Sequence, residues 1–364
     1  MFPNSYVPTL AIRPSEMRGL EFLPKEVKNR ITPCILLAPW VSSKSLKRAI
    51  ERVERAFPNR QYFLDIDRDY QHSNSPNTQA QQEFNSLSDS ANWIEFIKEG
   101  SENLCPCIQF KDKSENDIKK WITTTQDLGR RYCMRIERNR FPKNFDEIVS
   151  AFAIADPKNF TIILEGGWTR DAISLFSWFE KLITKRLQKI HYSVPVVVSC
   201  TSIPKIFTNF IGINSIPFHN RHLMQQIQEK LDRHTIIYGD WGSTRPRENS
   251  GGGPAPDRID YPVNDSWYII RNPNEKWDFK IAARRLILSD IWDANLDAWG
   301  AEMIRRTERQ NDIEDDIQTD SSDIVGINSL QQNTATRINI HLHRQALYGQ
   351  KDLHEKTFED EWED

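Results

Sequence analysis

Several things this sequence lacks narrow what it can be. No apolar run approaches the roughly 20 residues a helix needs to cross a bilayer, and no basic stretch followed by an apolar core opens the chain. A soluble, cytoplasmic protein with no membrane partner is therefore expected. There is no long basic run either: 48 Lys and Arg stand against 51 Asp and Glu, a formal charge of −3, so no general affinity for nucleic acid is expected. Cysteine is sparse. The five cysteines, Cys34, Cys105, Cys107, Cys133 and Cys200, each fall in an apolar segment, which argues against a disulfide framework and for a reducing compartment. Cys105 and Cys107 have no second cysteine pair and no histidine at ligand spacing, so they read as packing residues and not as half a zinc site. Also missing are a Gly-x-Ser-x-Gly elbow, a P-loop, a dinucleotide fingerprint and a strand-borne lysine suited to a Schiff base. The eight histidines are scattered, and His341 and His343 fall on different faces of any helix that carries both. No metal site is assigned, and no cofactor is identified.

What is present is a repeating alternation. Short apolar segments at 6–13, 32–38, 61–67, 104–110, 131–137, 160–166, 194–200 and 235–240 read as strands. Between them lie stretches with apolar residues three and four apart, as at Leu46, Ala49, Ile50, Val53 and Phe57. Continuous apolar strands separated by amphipathic helices imply parallel strands buried on both faces. Eight such units predict an α/β fold, a (β/α)8 TIM-like barrel, with an open doubly wound sheet as the alternative. Residues 1–300 are assigned to the barrel, with a hairpin around Asn264 and Asp265 inserted after the last strand. An acidic mobile insertion is expected at 301–333, the final helix at 334–350 and an acidic tail at 351–364. Whether 6–13 or 266–271 completes the barrel stays open at this level. Helices are predicted at 171–190, 215–231 and 274–295.

In such a barrel the strand C-termini and the loops after them form the functional face. Reading those ends gives Arg13, Asp65, Asp67, Gln109, Arg135, Glu137, Glu165, Ser199, Thr201, Ser202 and Asp240, with Arg271 at the end of the hairpin. Asp240, on the strand that stops abruptly between Gly239 and Gly242, is expected to be the eighth member of this ring. Asp65, Glu165 and Asp240 are the candidate catalytic carboxylates. Arg13, Gln109, Arg135, Glu137, Thr201, Ser202 and Arg271 are the candidate ligand-binding residues, the arginines because a guanidinium holds an anion through paired hydrogen bonds. The same charges could instead neutralise one another as a network closing the barrel mouth. Glycines after Glu165 and around Asp240 suit backbone binding of phosphate or simply tight turns. Trp267, Trp277, Trp292 and Trp299 suit packing, or a contact surface.

Several of these stretches together resemble the phage-type beta protein family. They are Tyr6 to Leu10 followed by Arg13 and Glu16, Ile31 to Pro33, the Asp65 strand, Arg135, Ser202 to Pro204 and above all Gly239-Asp240-Trp241-Gly242. The resemblance runs from residue 6 to about 300 and returns near Ala335 to Gln345. Trp241 stands where the family commonly has tyrosine, and Glu165 where a shorter aspartate is expected. The resemblance implies a phage or defence-related setting and no particular reaction. Two functions are carried forward. One is a binding or sensing protein of phage–host conflict, with a co-encoded or phage protein or a small anionic ligand as partner. The other is an enzyme acting on a phosphorylated or nucleotide-like substrate through the carboxylates and arginines of the barrel mouth.

Overall fold

The computed structural model describes residues 6–41, 43–70, 78–231, 233–247, 257–309 and 326–350. Residues 310–325 of the expected acidic insertion and the whole acidic tail lie outside the described residues. In chain order the elements are β1 (Tyr6–Ala11), α1 (Pro14–Glu21), α2 (Lys25–Lys28), β2 (Cys34–Leu37), α3 (Lys47–Ala56), β3 (Tyr62–Ile66), α4 (Gln79–Ser86), α5 (Ser90–Glu99), β4 (Leu104–Pro106) and α6 (Glu115–Asp127). They continue with β5 (Tyr132–Glu137), α7 (Phe145–Phe152), β6 (Phe160–Trp168), α8 (Ala172–Lys181), β7 (Val196–Thr201), β8 (Gly212–Pro217), α9 (Asn220–Lys230), β9 (Ile236–Asp240), β10 (Ile259–Pro262), β11 (Ser266–Arg271), α10 (Phe279–Ile287), α11 (Trp299–Arg309) and α12 (Leu330–Ala346).

Eight parallel strands run in the order β4-β3-β2-β1-β9-β7-β6-β5, and a parallel bridge between Cys107 and Cys133 joins the two ends. The sheet is thus a (β/α)8 barrel. Side chains alternate along each strand. Val7, Cys34, Leu36, Phe63, Cys107, Cys133, Ile163, Val197 and Ile237 fill the interior, while Tyr6, Ile35, Leu64, Met134, Ile162, Val198 and Tyr238 face the surrounding helices. All five cysteines are free and buried. The question of the eighth strand is answered by β1, which pairs in parallel with both β9 and β2.

The 266–271 segment belongs elsewhere. It is the middle strand of a three-stranded antiparallel sheet, β10-β11-β8, and the hairpin expected around Asn264 and Asp265 pairs Pro262 with Trp267. The third strand is a correction to the reading of 215–231 as helix. Gly212 to Pro217 is extended, and the helix begins only at Asn220, because Pro217 lacks the amide a helix interior requires. Two other helices are shorter than their apolar spacing suggests. α10 starts at Phe279, where the Asp278 side chain caps the Ile281 amide, and the 171–190 stretch passes into a π-helical turn at Leu182–Arg186.

β8 arises from the connection after β7, and β10 and β11 from the connection after β9, so the small sheet sits over the C-terminal side of the barrel. One of its faces packs Trp267 and Ile269 on Ile203, Ile216 and Phe218. The other packs Ile259, Tyr261 and Ile270 on α10, α11 and α12. α12 serves as the last barrel helix, held close on two sides. A Cβ on Gly19 would lie 2.8 Å from Ile338 Cγ2, and one on Gly300 would lie 2.5 Å from the Thr336 carbonyl oxygen. Trp267 is buried in the small sheet, and Trp277, Trp292 and Trp299 pack partly buried around the second core.

Candidate functional site

Strand alternation sorts the expected rim into two groups. On β3, β5 and β6 the positions that continue the interior residues Phe63, Cys133 and Ile163 are Asp65, Arg135 with Glu137, and Glu165. These point into the barrel and meet. Arg135 donates to Asp65 at 3.0 Å and lies 3.4 Å from Glu137 and 4.0 Å from Glu165. Gln109 donates to Asp65 at 2.8 Å. Ser199, from the adjacent strand, donates to Glu165 at 2.9 Å, and the Gly167 amide donates to the same carboxylate at 2.8 Å. Burial pushes the Asp65 carboxyl up, yet Arg68 and Arg135 outweigh it and hold the group below the usual carboxylate range. At Glu165 burial wins against Arg135, and its pKa is raised. The difference follows distance: two cations, Arg68 and Arg135, each at 3.0 Å, serve Asp65, whereas Glu165 sees Arg135 only at 4.0 Å.

Asp240 does not join that group. Ile237 lies in the barrel interior and Tyr238 faces the helices, so Asp240, two residues past Tyr238, also faces outward. It lies between β9, β1 and α12, accepting from Tyr6 at 2.6 Å, Tyr238 at 2.9 Å, the Gly242 amide at 2.8 Å and His341 Nε2 at 2.7 Å. Burial raises this carboxyl, but His341 and the other donors bring it below its ordinary value. The expected ring of eight is therefore corrected: the last strand sends its acid to the helix layer, and Gly239 occupies the inward position. A Cβ at Gly239 would lie 2.8 Å from Val197 Cγ1. His341, dismissed on sequence spacing, is the residue missed here. It reaches Asp240 from 101 positions away, a pairing that no local pattern encodes.

The remaining candidates are dispersed. Arg13 pairs with Glu16 at 2.6 Å, Thr201 donates to the Thr244 carbonyl at 2.8 Å, and the buried Ser202 hydroxyl has no partner among the described residues. Asp67 is held by Arg247. Arg271 donates to the Phe207 carbonyl. Among the described residues no three His, Cys, Asp or Glu side chains converge to hold a metal ion.

The inward group opens outward through arginines not singled out in the sequence. Arg68, one residue past Asp67, donates to Asp65 at 3.0 Å, Glu137 at 2.9 Å and Gln109 at 2.8 Å. Its side chain is still 23% exposed. Arg140 bridges Glu137 and Asp69. The available signal was an arginine following a strand end directly, in a fold whose strand ends carry function. Arg68 and Arg140 look into a cleft of about 1100 Å³ between the loops after β3, β4 and β5. Phe84, Phe110 and Phe141 give it apolar walls, and Lys111, Lys113 and Lys143 stand at its edge. These lysines form no ion pair among the described residues.

The chain is 28% identical over 349 residues to Protein beta of Enterobacteria phage P4, an alignment covering 94% of this chain and 92% of the phage protein. The family model described as Beta protein matches residues 6–347, nearly the whole span of the barrel, the small sheet and the final helix. The chain therefore belongs to the Beta protein family.

Proposed function

We propose that this barrel is a binding or sensing protein of phage–host conflict, and that the cleft beside Arg68 and Arg140 holds a small ligand with an apolar, planar body and anionic groups. The carrying observation is Arg68. Three acceptors lock its guanidinium in one orientation, yet part of it faces an open cleft edged by three lysines that form no ion pair among the described residues. A fixed guanidinium loses little freedom on meeting a carboxylate or phosphate. The phenylalanine walls suit a ring such as a nucleobase. Binding without turnover is favoured because the nearest carboxylates are already committed, Asp65 to two arginines and Gln109, and Glu165 to Ser199 and the Gly167 amide.

The test is calorimetric titration with a panel of nucleoside mono-, di- and triphosphates. At least one should bind, and the triple variant Lys111→Glu, Lys113→Glu, Lys143→Glu should weaken it by roughly tenfold or more while the fold is unchanged. No binding across the panel, or equal affinity in the variant, would overturn this reading.

A further inference from the structure

On the barrel-facing side of the small sheet lies a buried cation that no carboxylate pairs with directly among the described residues. Arg271 is only 3% exposed. Its guanidinium donates to the Phe207 carbonyl, its Nε has no hydrogen-bond partner, and it forms no ion pair among the described residues. The register of the hairpin aggravates this. Ile259 pairs with Ile270, so the next position outward sets Arg258 across from Arg271, and like charges facing each other across an antiparallel pair repel. Arg258 itself is served by Asp260 at 2.8 Å and stacks over the Phe207 ring at 4.1 Å. Asp260 is also claimed by Arg337, so the carboxylate that Arg271 feels nearby is already held by two other guanidiniums. Burial and the neighbouring Arg258 outweigh the pull of Asp260 and hold the Arg271 pKa below its ordinary value.

The other neighbour of Arg271 is open. On β8 it pairs with Gly212, where an added Cβ would meet nothing within 4 Å. A buried guanidinium without a counterion is costly unless an anion completes it. Two guanidiniums beside a vacant position fit the charge and oxygen geometry of a phosphate group. The connections after the seventh and eighth strands, which supply this sheet, are where (β/α)8 barrels commonly hold phosphate.

We propose that Arg258 and Arg271, over the space beside Gly212, form a phosphate-binding site separate from the Arg68 cleft.

Inorganic phosphate is the probe. At matched ionic strength, phosphate should raise the melting temperature of the full chain more than chloride does. Arg271→Gln should lose that phosphate-specific rise, with affinity lowered roughly tenfold or more. In phosphate-free buffer the same variant should be at least as stable as the parent, since an unpaired charge is removed. The triple lysine variant of the cleft should keep the phosphate response, so failure of one site is distinguishable from failure of the other. Should Arg271→Gln not fold, crystals of the parent chain soaked in tungstate decide the matter by density between Arg258 and Arg271. An absent phosphate response in the parent, a response retained in Arg271→Gln, or tungstate missing from this position would each overturn the proposal.

Discussion

Asp65 and Asp240 invite comparison because they look alike in the sequence and behave differently in the fold. Both end an apolar strand, both are buried, and in both opposing charge or hydrogen-bond donors outweigh the effect of burial on the carboxyl. Asp65 points into the barrel, where its partners are the cations Arg135 and Arg68 at the base of an open cleft. Asp240 points out of the barrel, where two tyrosines, a backbone amide and His341 tie β1, β9 and α12 together. One carboxylate sets the orientation of a side chain that solvent can reach. The other saturates its accepting positions within the protein and fastens the last helix to the first and last strands. A strand-end acid in a barrel is therefore a functional candidate only after its face of the strand is known.

The comparison can be broken by mutation. Asp65→Ala should have the largest effect, because it leaves Arg135 buried without its closest partner. Equilibrium unfolding in urea should show a loss of about 3–5 kcal/mol, and the cleft ligand should bind more weakly as Arg68 loses its anchor. If stability fell by less than about 1 kcal/mol, the two carboxylates would not differ in the way described. Asp240→Asn keeps the shape and removes the charge. It should cost about 1.5–3 kcal/mol, the range for hydrogen bonds to a charged group, and leave calorimetric affinity at the cleft unchanged. A selective loss of ligand binding would place Asp240 back among the site residues.

Acid titration sharpens the same contrast. Asp65 and Asp240 have folded pKa values below their unfolded values, so their contribution is complete above about pH 4 and is lost as pH falls through the folded values. Glu165 runs the other way. Its raised folded pKa favours the protonated form, so its contribution is present below its unfolded pKa and is lost as pH rises through the folded value. Unfolding free energy measured below about pH 4 should depend less steeply on pH in Asp240→Asn than in the parent. An unchanged slope would mean that Asp240 does not titrate with folding. The smallest stability effect belongs to Lys143→Glu at the cleft edge, within about 0.5 kcal/mol, with its consequence confined to ligand affinity.

Much of the barrel was legible from residues alone. The eight apolar segments and the hairpin at Asn264 and Asp265 appear where period and turn chemistry put them. Pro217 carried the warning against a helix through Ser215, but extended strands over a barrel mouth have no stronger local signature than a polar alternation. Of the site, Asp65, Gln109, Arg135, Glu137 and Glu165 were nameable because strand ends are recognisable and alternate positions share a face. Arg68 and Arg140 were overlooked, since an arginine in a loop acquires meaning only from the carboxylates folded beside it.

Hydrophobic period and breaker residues, which act over a few positions, were enough to specify the order of strands and helices. The direction of Asp240, its union with His341 and the isolation of Arg271 opposite Arg258 were decided by closure of the barrel and register of the small sheet. For Asp240 the deciding contacts are 101 and 234 residues apart, and no short window of sequence contains both partners. The Asp240 stretch was conspicuous because an acid stands between glycines. The fold assigns the acid to the helix layer and leaves the inward position to Gly239, where only a hydrogen fits.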